Sequence, residues 1–273
     1  MLLLSDLAAA LDPSLLMRRT GLAPDPWQER VLRSGAARTL LNCSRQSGKS
    51  TVSAALALHE ALYRPPALVL LLSPSLRQSV ELFRTVMRFY RAIDGAPTPA
   101  EESALRVELP NCSRVVSLPG SEGTVRGFAG VRLIVIDEAA RVEDDLYRAV
   151  RPMLAVSGGR LIAMSTPFGK RGWYFEEWDR GEGWDRVRVP ATECPRISPS
   201  FLAEERAHLG EWWFRQEYLC EFEESVASVF RHEDIAAMFS PDVKPLFEDS
   251  TAPALSPQAS ILSPDVRPLE LSR

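Results

Sequence analysis

Cysteine and histidine are scarce in this chain, with four of one and three of the other in 273 residues. Cys43, Cys112, Cys194 and Cys220 lie far apart and form no CxxC pair, which argues against a zinc site and a dense disulfide framework. Reduced thiols in a cytoplasmic protein are the expectation. His59, His208 and His232 are unrelated in spacing and read as surface or helix residues. An excess of one charge is missing too: 32 basic residues face 36 acidic ones, a net charge of -4. No chain-wide field draws in nucleic acid, so any such contact needs a local patch. The opening MLLLSDLAAALDPSLLMRR has Asp6 early, no basic n-region and an apolar run far short of a membrane span. It reads as an amphipathic helix over 1–19 rather than a signal peptide. No segment reads as crossing a membrane, and no internal repeat is visible.

What is present is a globular composition, 45% hydrophobic, with short β-type runs alternating with helical segments from about 38 to 190. That alternation implies an α/β fold with a mostly parallel sheet flanked by helices. Residues 38–44, 67–73, 132–137 and 160–165 are apolar without period-2 alternation, as strands covered on both faces should be. ALRVELP and SRVVSLP, joined at Asn111 and Cys112, alternate polar with apolar and predict an edge hairpin inserted beside the core. After the core at 20–190 comes a helical appendage at 191–235, whose Trp213, Phe214 and Tyr218 fall at packing spacings. From Pro241 onward six prolines occur in 33 residues, and 236–273 is expected to be a disordered tail.

The stretch CSRQSGKST follows a strand and opens an apolar helix, the context a phosphate-binding loop requires. Backbone N–H groups across Ser44, Arg45, Gln46, Ser47, Gly48, Lys49, Ser50 and Thr51 would surround phosphate oxygens. Lys49 adds a compact positive charge, and Ser50 offers its hydroxyl to Mg²⁺. One position departs from GxxxxGK[ST]: Cys43 stands where glycine is usual, so the loop must begin with backbone angles open to a residue with a Cβ. LIVIDEAAR then places two acids at the end of a buried strand. Asp137 suits magnesium, and Glu138 suits the attacking water. The competing reading is that both acids cap the helix starting near Asp144.

Taken together these motifs resemble the ATPase domain of the large terminase subunit, the motor that packages DNA into tailed-phage and herpesvirus capsids. Arg45, Gln46, Gly48, Lys49 and Ser50 match the family's RQxGK[ST] loop, whose first residue is often not glycine. DPWQERVL is similar to its adenine-binding motif, which implies that Gln28 bonds the adenine edge and Trp27 packs nearby; Asp25 and Pro26 also suit a helix start. TVRGFAG resembles an Arg-Gly element that makes Arg126 a candidate arginine finger in trans, with Arg45 the rival in cis. STPFGK resembles the coupling motif, in which Ser165 and Thr166 sense the γ-phosphate.

The resemblance covers about 20–230 and implies a RecA-like P-loop fold, ATP and Mg²⁺ as cofactors, and double-stranded DNA as cargo. It implies as partners a portal protein, a small terminase subunit and further copies in a ring. The family's nuclease domain is not expected in this chain. Arg77, Arg84, Arg88 and Arg91 recur on one helix face beside Val80, Phe83, Met87 and Tyr90, and could follow phosphates or be ordinary solvated arginines. Two rivals remain: a non-assembling prophage remnant that binds nucleotide, and the first lobe of a two-lobe helicase.

Overall fold

The computed structural model describes residues 2–120, 122–125 and 127–224, so the segment from 225 onward, including the expected tail, lies outside the described residues. The helix expected over 1–19 is two helices, α1 (Leu2–Leu11) and α2 (Pro13–Arg19). The break falls at Asp12, whose side chain accepts the Ser14 N–H at 2.9 Å, and at Pro13, which suits a first helical position because its missing N–H is not needed there. Along α1, Leu4, Leu7 and Leu11 remain exposed.

The chain then runs through α3 (Pro26–Arg33), β1 (Arg38–Cys43), α4 (Lys49–Tyr63), β2 (Leu68–Ser73) and α5 (Leu76–Ala92). Next come β3 (Glu101–Glu102), β4 (Arg106–Glu108), β5 (Arg114–Pro119), the short α6 (Glu122–Val125), β6 (Leu133–Asp137) and α7 (Asp144–Val150). It closes with β7 (Arg160–Ser165), α8 (Gly172–Asp179), β8 (Asp185–Val189), α9 (Pro199–Leu209) and α10 (Glu211–Glu217).

The strands form one sheet in the order β3-β4-β5-β2-β6-β7-β1-β8, parallel from β5 to β8. Its central strands feed two cores. Val69, Leu71, Val135, Ile162 and Met164 pack toward α2 to α5, while Leu70, Leu72, Ile134, Ile136 and Ala163 pack toward α7 and α8. This explains the unbroken apolar runs, since neither face of such a strand meets water. Each buried leucine or isoleucine there contributes about 1.5–3 kcal/mol.

The expected hairpin is present, with Cys112 at φ 64° in its turn, and β3 lies outside it at the sheet edge. Its second arm does more than decorate that edge. β5 pairs in parallel with β2 from Leu68 to Ser73, so the hairpin is where the parallel sheet becomes antiparallel. At the opposite edge lies β8, a strand beyond the four apolar runs, whose Asp-Arg-Val-Arg-Val alternation is a one-faced strand pattern.

The described part of the appendage docks on β1 and β8. Asn42 Nδ2 donates to the Cys220 carbonyl at 2.9 Å, and the Cys220 thiol donates to the Val189 carbonyl of β8 at 3.3 Å. Phe214 is buried and Tyr218 stacks on it, but Trp213 is 48% exposed and meets only the edge-to-face ring of Trp212 among described aromatic side chains. The packing expected of Trp213 is therefore not found, because α10 turns that side of the helix to solvent.

Candidate active site

Strand order places the candidate chemistry. β7 lies between β1 and β6, with Asn42 level with Ser165 and Asp137 level with Met164. Three strands thus end side by side at their carboxyl ends, where an open α/β sheet binds ligands.

The loop after β1 is shaped by its own backbone. Cys43 is fully buried as the last residue of β1 and is not among the residues with positive φ, so the absence of glycine costs nothing there. The left-handed positions are Gln46 at φ 57° and Gly48 at φ 101°. That backbone demands glycine at 48, and a Cβ there would also displace the Gln28 amide, whose Nε2 would lie 2.6 Å from it. Burial pushes the Cys43 thiol up to about 12, and it stays protonated. The Ser44 N–H is committed to the Val189 carbonyl at 2.9 Å, and the Ser47 hydroxyl to the Ser44 carbonyl at 2.9 Å.

Lys49 opens α4, 9% exposed, with Nζ 3.5 Å from Glu138 Oε1. The other oxygen of Glu138 lies 3.4 Å from Arg141 Nη1, and Glu138 itself is left-handed at φ 49°. Such a conformation is strained in a residue with a Cβ and holds the carboxylate out from the strand end. Arg141 also lies 4.5 Å from the centre of the Phe168 ring, as does Arg171, so the acidic turn touches the STPFGK turn through one sandwiched ring.

Asp137 accepts the Glu138 N–H at 2.9 Å. Burial raises its carboxyl to about 6, the neighbouring Glu138 adds to this, and Lys49 opposes it. Ser50, Asp137 and Glu138 line one wall of a cleft of about 580 Å³. The other wall is Ser75, Arg77, Gln78, Glu81, Leu82 and Thr85, at and along α5. The donors fit Mg²⁺: one under-neutralised carboxylate and a hydroxyl share the cleft. Among the described residues no group of three or more His, Cys, Asp or Glu could hold a metal ion.

Other expected residues lie around this centre. Ser165 and Thr166 are buried beside it, and Ser165 Oγ has no hydrogen-bond partner among the described residues. Gln28 is 2% exposed; its Oε1 accepts the Asp25 N–H at 2.9 Å and its Nε2 points to the Gly48 carbonyl at 3.4 Å. Trp27 is buried next to it. Arg45 is turned away from the cleft to Glu217 of α10, Nε to Oε2 2.6 Å. Arg126 lies outside the described residues. On α5, Arg77 faces the cleft, whereas Arg84 pairs with Glu81 at 2.7 Å, Arg91 pairs with Glu102, and Arg88 lies over the Phe89 ring. Sequence reasoning gave no role to Arg141, the last residue of LIVIDEAAR, or to Glu217 and Arg196, which contact the loop from segments with no motif of their own.

Comparison with known proteins gives this geometry a family. Residues 40–237 match the model of the terminase large subunit, T4likevirus-type, N-terminal. The terminase large subunit of Thermus phage G20c is 27% identical over 252 residues, covering 79% of this chain and 52% of that protein, and that of Thermus virus P23-45 is 25% identical with the same coverage. The chain therefore spans about half the length of these curated relatives. The fold is similar to the Thermus phage P74-26 large terminase ATPase domain, with TM-score 0.65 and 24% identity over 76% of this chain and 96% of that one. It is also similar to the large terminase of bacteriophage D6E solved with ADP, with TM-score 0.61 and 11% identity over 73% of this chain and 54% of that one. With a match across most of its length, the chain belongs to the terminase large subunit family, as its N-terminal domain of T4likevirus type.

Proposed function

We propose that this chain is a Mg²⁺-dependent ATPase that drives double-stranded DNA into a viral capsid, working with a portal protein, a small terminase subunit and further copies in a ring. The observation that carries the catalytic half is the 3.5 Å approach of Lys49 to Glu138 beside Asp137 and Ser50 on one cleft. Lys49 and Arg141 neutralise the Glu138 carboxylate from two sides. Arriving phosphates compete for the Lys49 ammonium, which leaves Glu138 free to accept a proton from water. Bound Mg²⁺, held by Asp137 and Ser50, would neutralise charge on the β and γ oxygens. Ser165, whose buried hydroxyl has no partner among the described residues, would sense the γ-phosphate.

Arg126 is the candidate finger in trans. Arg45 is the less favoured candidate, because a role in cis requires it to leave Glu217. Arg77, at the mouth of the cleft, is a further candidate for DNA contact.

The test is ATP turnover by purified chain. Lys49→Ala and Glu138→Gln should each lower it at least a hundredfold while nucleotide-free stability stays near wild type; substantial turnover in either sinks the assignment. Stimulation of wild type by duplex DNA and portal tests the motor half.

A further inference from the structure

Arg196 lies between β8 and α9, in a segment where no motif marks it. Its guanidinium joins two parts of the chain far apart in sequence. Nη1 donates to Asp25 Oδ1 at 2.8 Å, Nη2 stands 2.8 Å from Asp25 Oδ2, and Nη2 donates to the Ser47 carbonyl at 2.8 Å. Asp25 in turn donates its N–H to Gln28 Oε1, and Gln28 Nε2 points back to the Gly48 carbonyl. The contacts close a ring: Arg196, Asp25, Gln28, Gly48, Ser47. One charge-assisted hydrogen bond and one close ion pair hold this carboxylate, which is 10% exposed while the guanidinium is half in water.

The ring determines how Gln28 stands relative to the phosphate grip. Its amide keeps one lone pair on Oε1 and one hydrogen on Nε2 beyond the bonds already made. That pair of positions matches the N6–H donor and N7 acceptor of adenine and mismatches guanine, which presents acceptors at both O6 and N7. We propose that Arg196 is a positioning residue for base recognition, clamping the Asp25–Gln28 turn onto the phosphate loop so that the chain prefers ATP to GTP. This rests on the ATPase reading above.

The experiment measures kcat and KM for ATP and GTP, and the affinity of inorganic tripolyphosphate, with the full chain as wild type, Arg196→Ala, Arg196→Lys and Asp25→Asn. Arg196→Ala should raise KM for ATP about tenfold, leave kcat within about twofold and bring the ATP-to-GTP preference close to unity, with tripolyphosphate affinity unchanged. Arg196→Lys keeps the charge and one contact and should fall between. Asp25→Asn should match Arg196→Ala, and the double variant should be no worse than either. An unchanged base preference, or tripolyphosphate affinity falling in step with ATP, overturns the proposal. Wild type that hydrolyses ATP while Arg196→Ala is indistinguishable from it overturns the Arg196 assignment alone. Wild type that neither binds nor hydrolyses ATP overturns the site reading with it.

Discussion

Asp137 should weaken the nucleotide-free fold in proportion to its usefulness in the cleft. Its carboxyl titrates near 6 in the folded chain against an ordinary 3.8, chiefly because burial disfavours its charge. Between those values the folded chain holds a proton that the unfolded chain has released, so stability is fully present below 3.8 and falls as pH rises through about 6. The gap between 3.8 and about 6, at about 1.4 kcal/mol per pH unit, is about 3 kcal/mol. That figure is a ceiling, since the side chain lines the cleft and keeps an opening to water. Asp137→Asn abolishes the titration and retains an oxygen for the Glu138 N–H. In EDTA, without nucleotide, the variant should therefore exceed wild type by about 2–3 kcal/mol at pH 8 and by almost nothing at pH 4. At about 2–4 °C per kcal/mol for a domain of this size, the gain in Tm at pH 8 is about 5–10 °C. Calorimetry across that pH range measures it. Adding Mg²⁺ with a non-hydrolysable ATP analogue should then reverse the order, stabilising wild type and leaving the variant unmoved. A difference in Tm that ignores pH, or a variant less stable at pH 8, refutes the reasoning.

Gly48→Ala should abolish binding of a fluorescent ATP analogue and cost about 1–3 kcal/mol of stability, because φ 101° strains any Cβ and Gln28 stands 2.6 Å from it; calorimetry and titration report both. Ser165→Ala removes a buried hydroxyl with no partner among the described residues, so stability should hold or rise slightly while turnover falls about tenfold; a stability loss above about 1 kcal/mol would mean that the hydroxyl has a structural bond. Arg45→Ala and Glu217→Ala, combined in a double-mutant cycle of chemical denaturation, should couple by about 1 kcal/mol, and additive effects would show the 2.6 Å pair contributes nothing. Tyr174→Phe breaks a buried bond from its hydroxyl to the Leu41 carbonyl at 2.9 Å and should cost about 1 kcal/mol without changing KM for ATP.

What the sequence revealed, and what it hid, follows from how far each residue's reason reaches along the chain. β2 and β6 are legible because a strand covered on both faces has no polar position, and alternate residues of LVLLLS enter different cores. β5 looked like trim on an edge because the antiparallel partner, β4, is its neighbour in sequence; the parallel partner that makes it part of the sheet lies some forty residues upstream. The nearness of the loop from Ser47 to Ser50 to the acids Asp137 and Glu138 is legible for a similar local reason, since each motif follows an apolar strand of one parallel sheet, and Lys49 lies 3.5 Å from Glu138. Arg196 and Glu217 have no such local reason. Each is explained only by a partner more than a hundred residues upstream, Asp25 with Ser47 in one case and Arg45 in the other. Spacing cannot signal a contact made by folding the appendage back against β1 and β8. Arg45 shows the consequence most clearly. Read within its motif it is a cis rival for the γ-phosphate, and read with α10 in place it is one of the contacts, with Arg196 to Ser47, that tie the loop to the appendage.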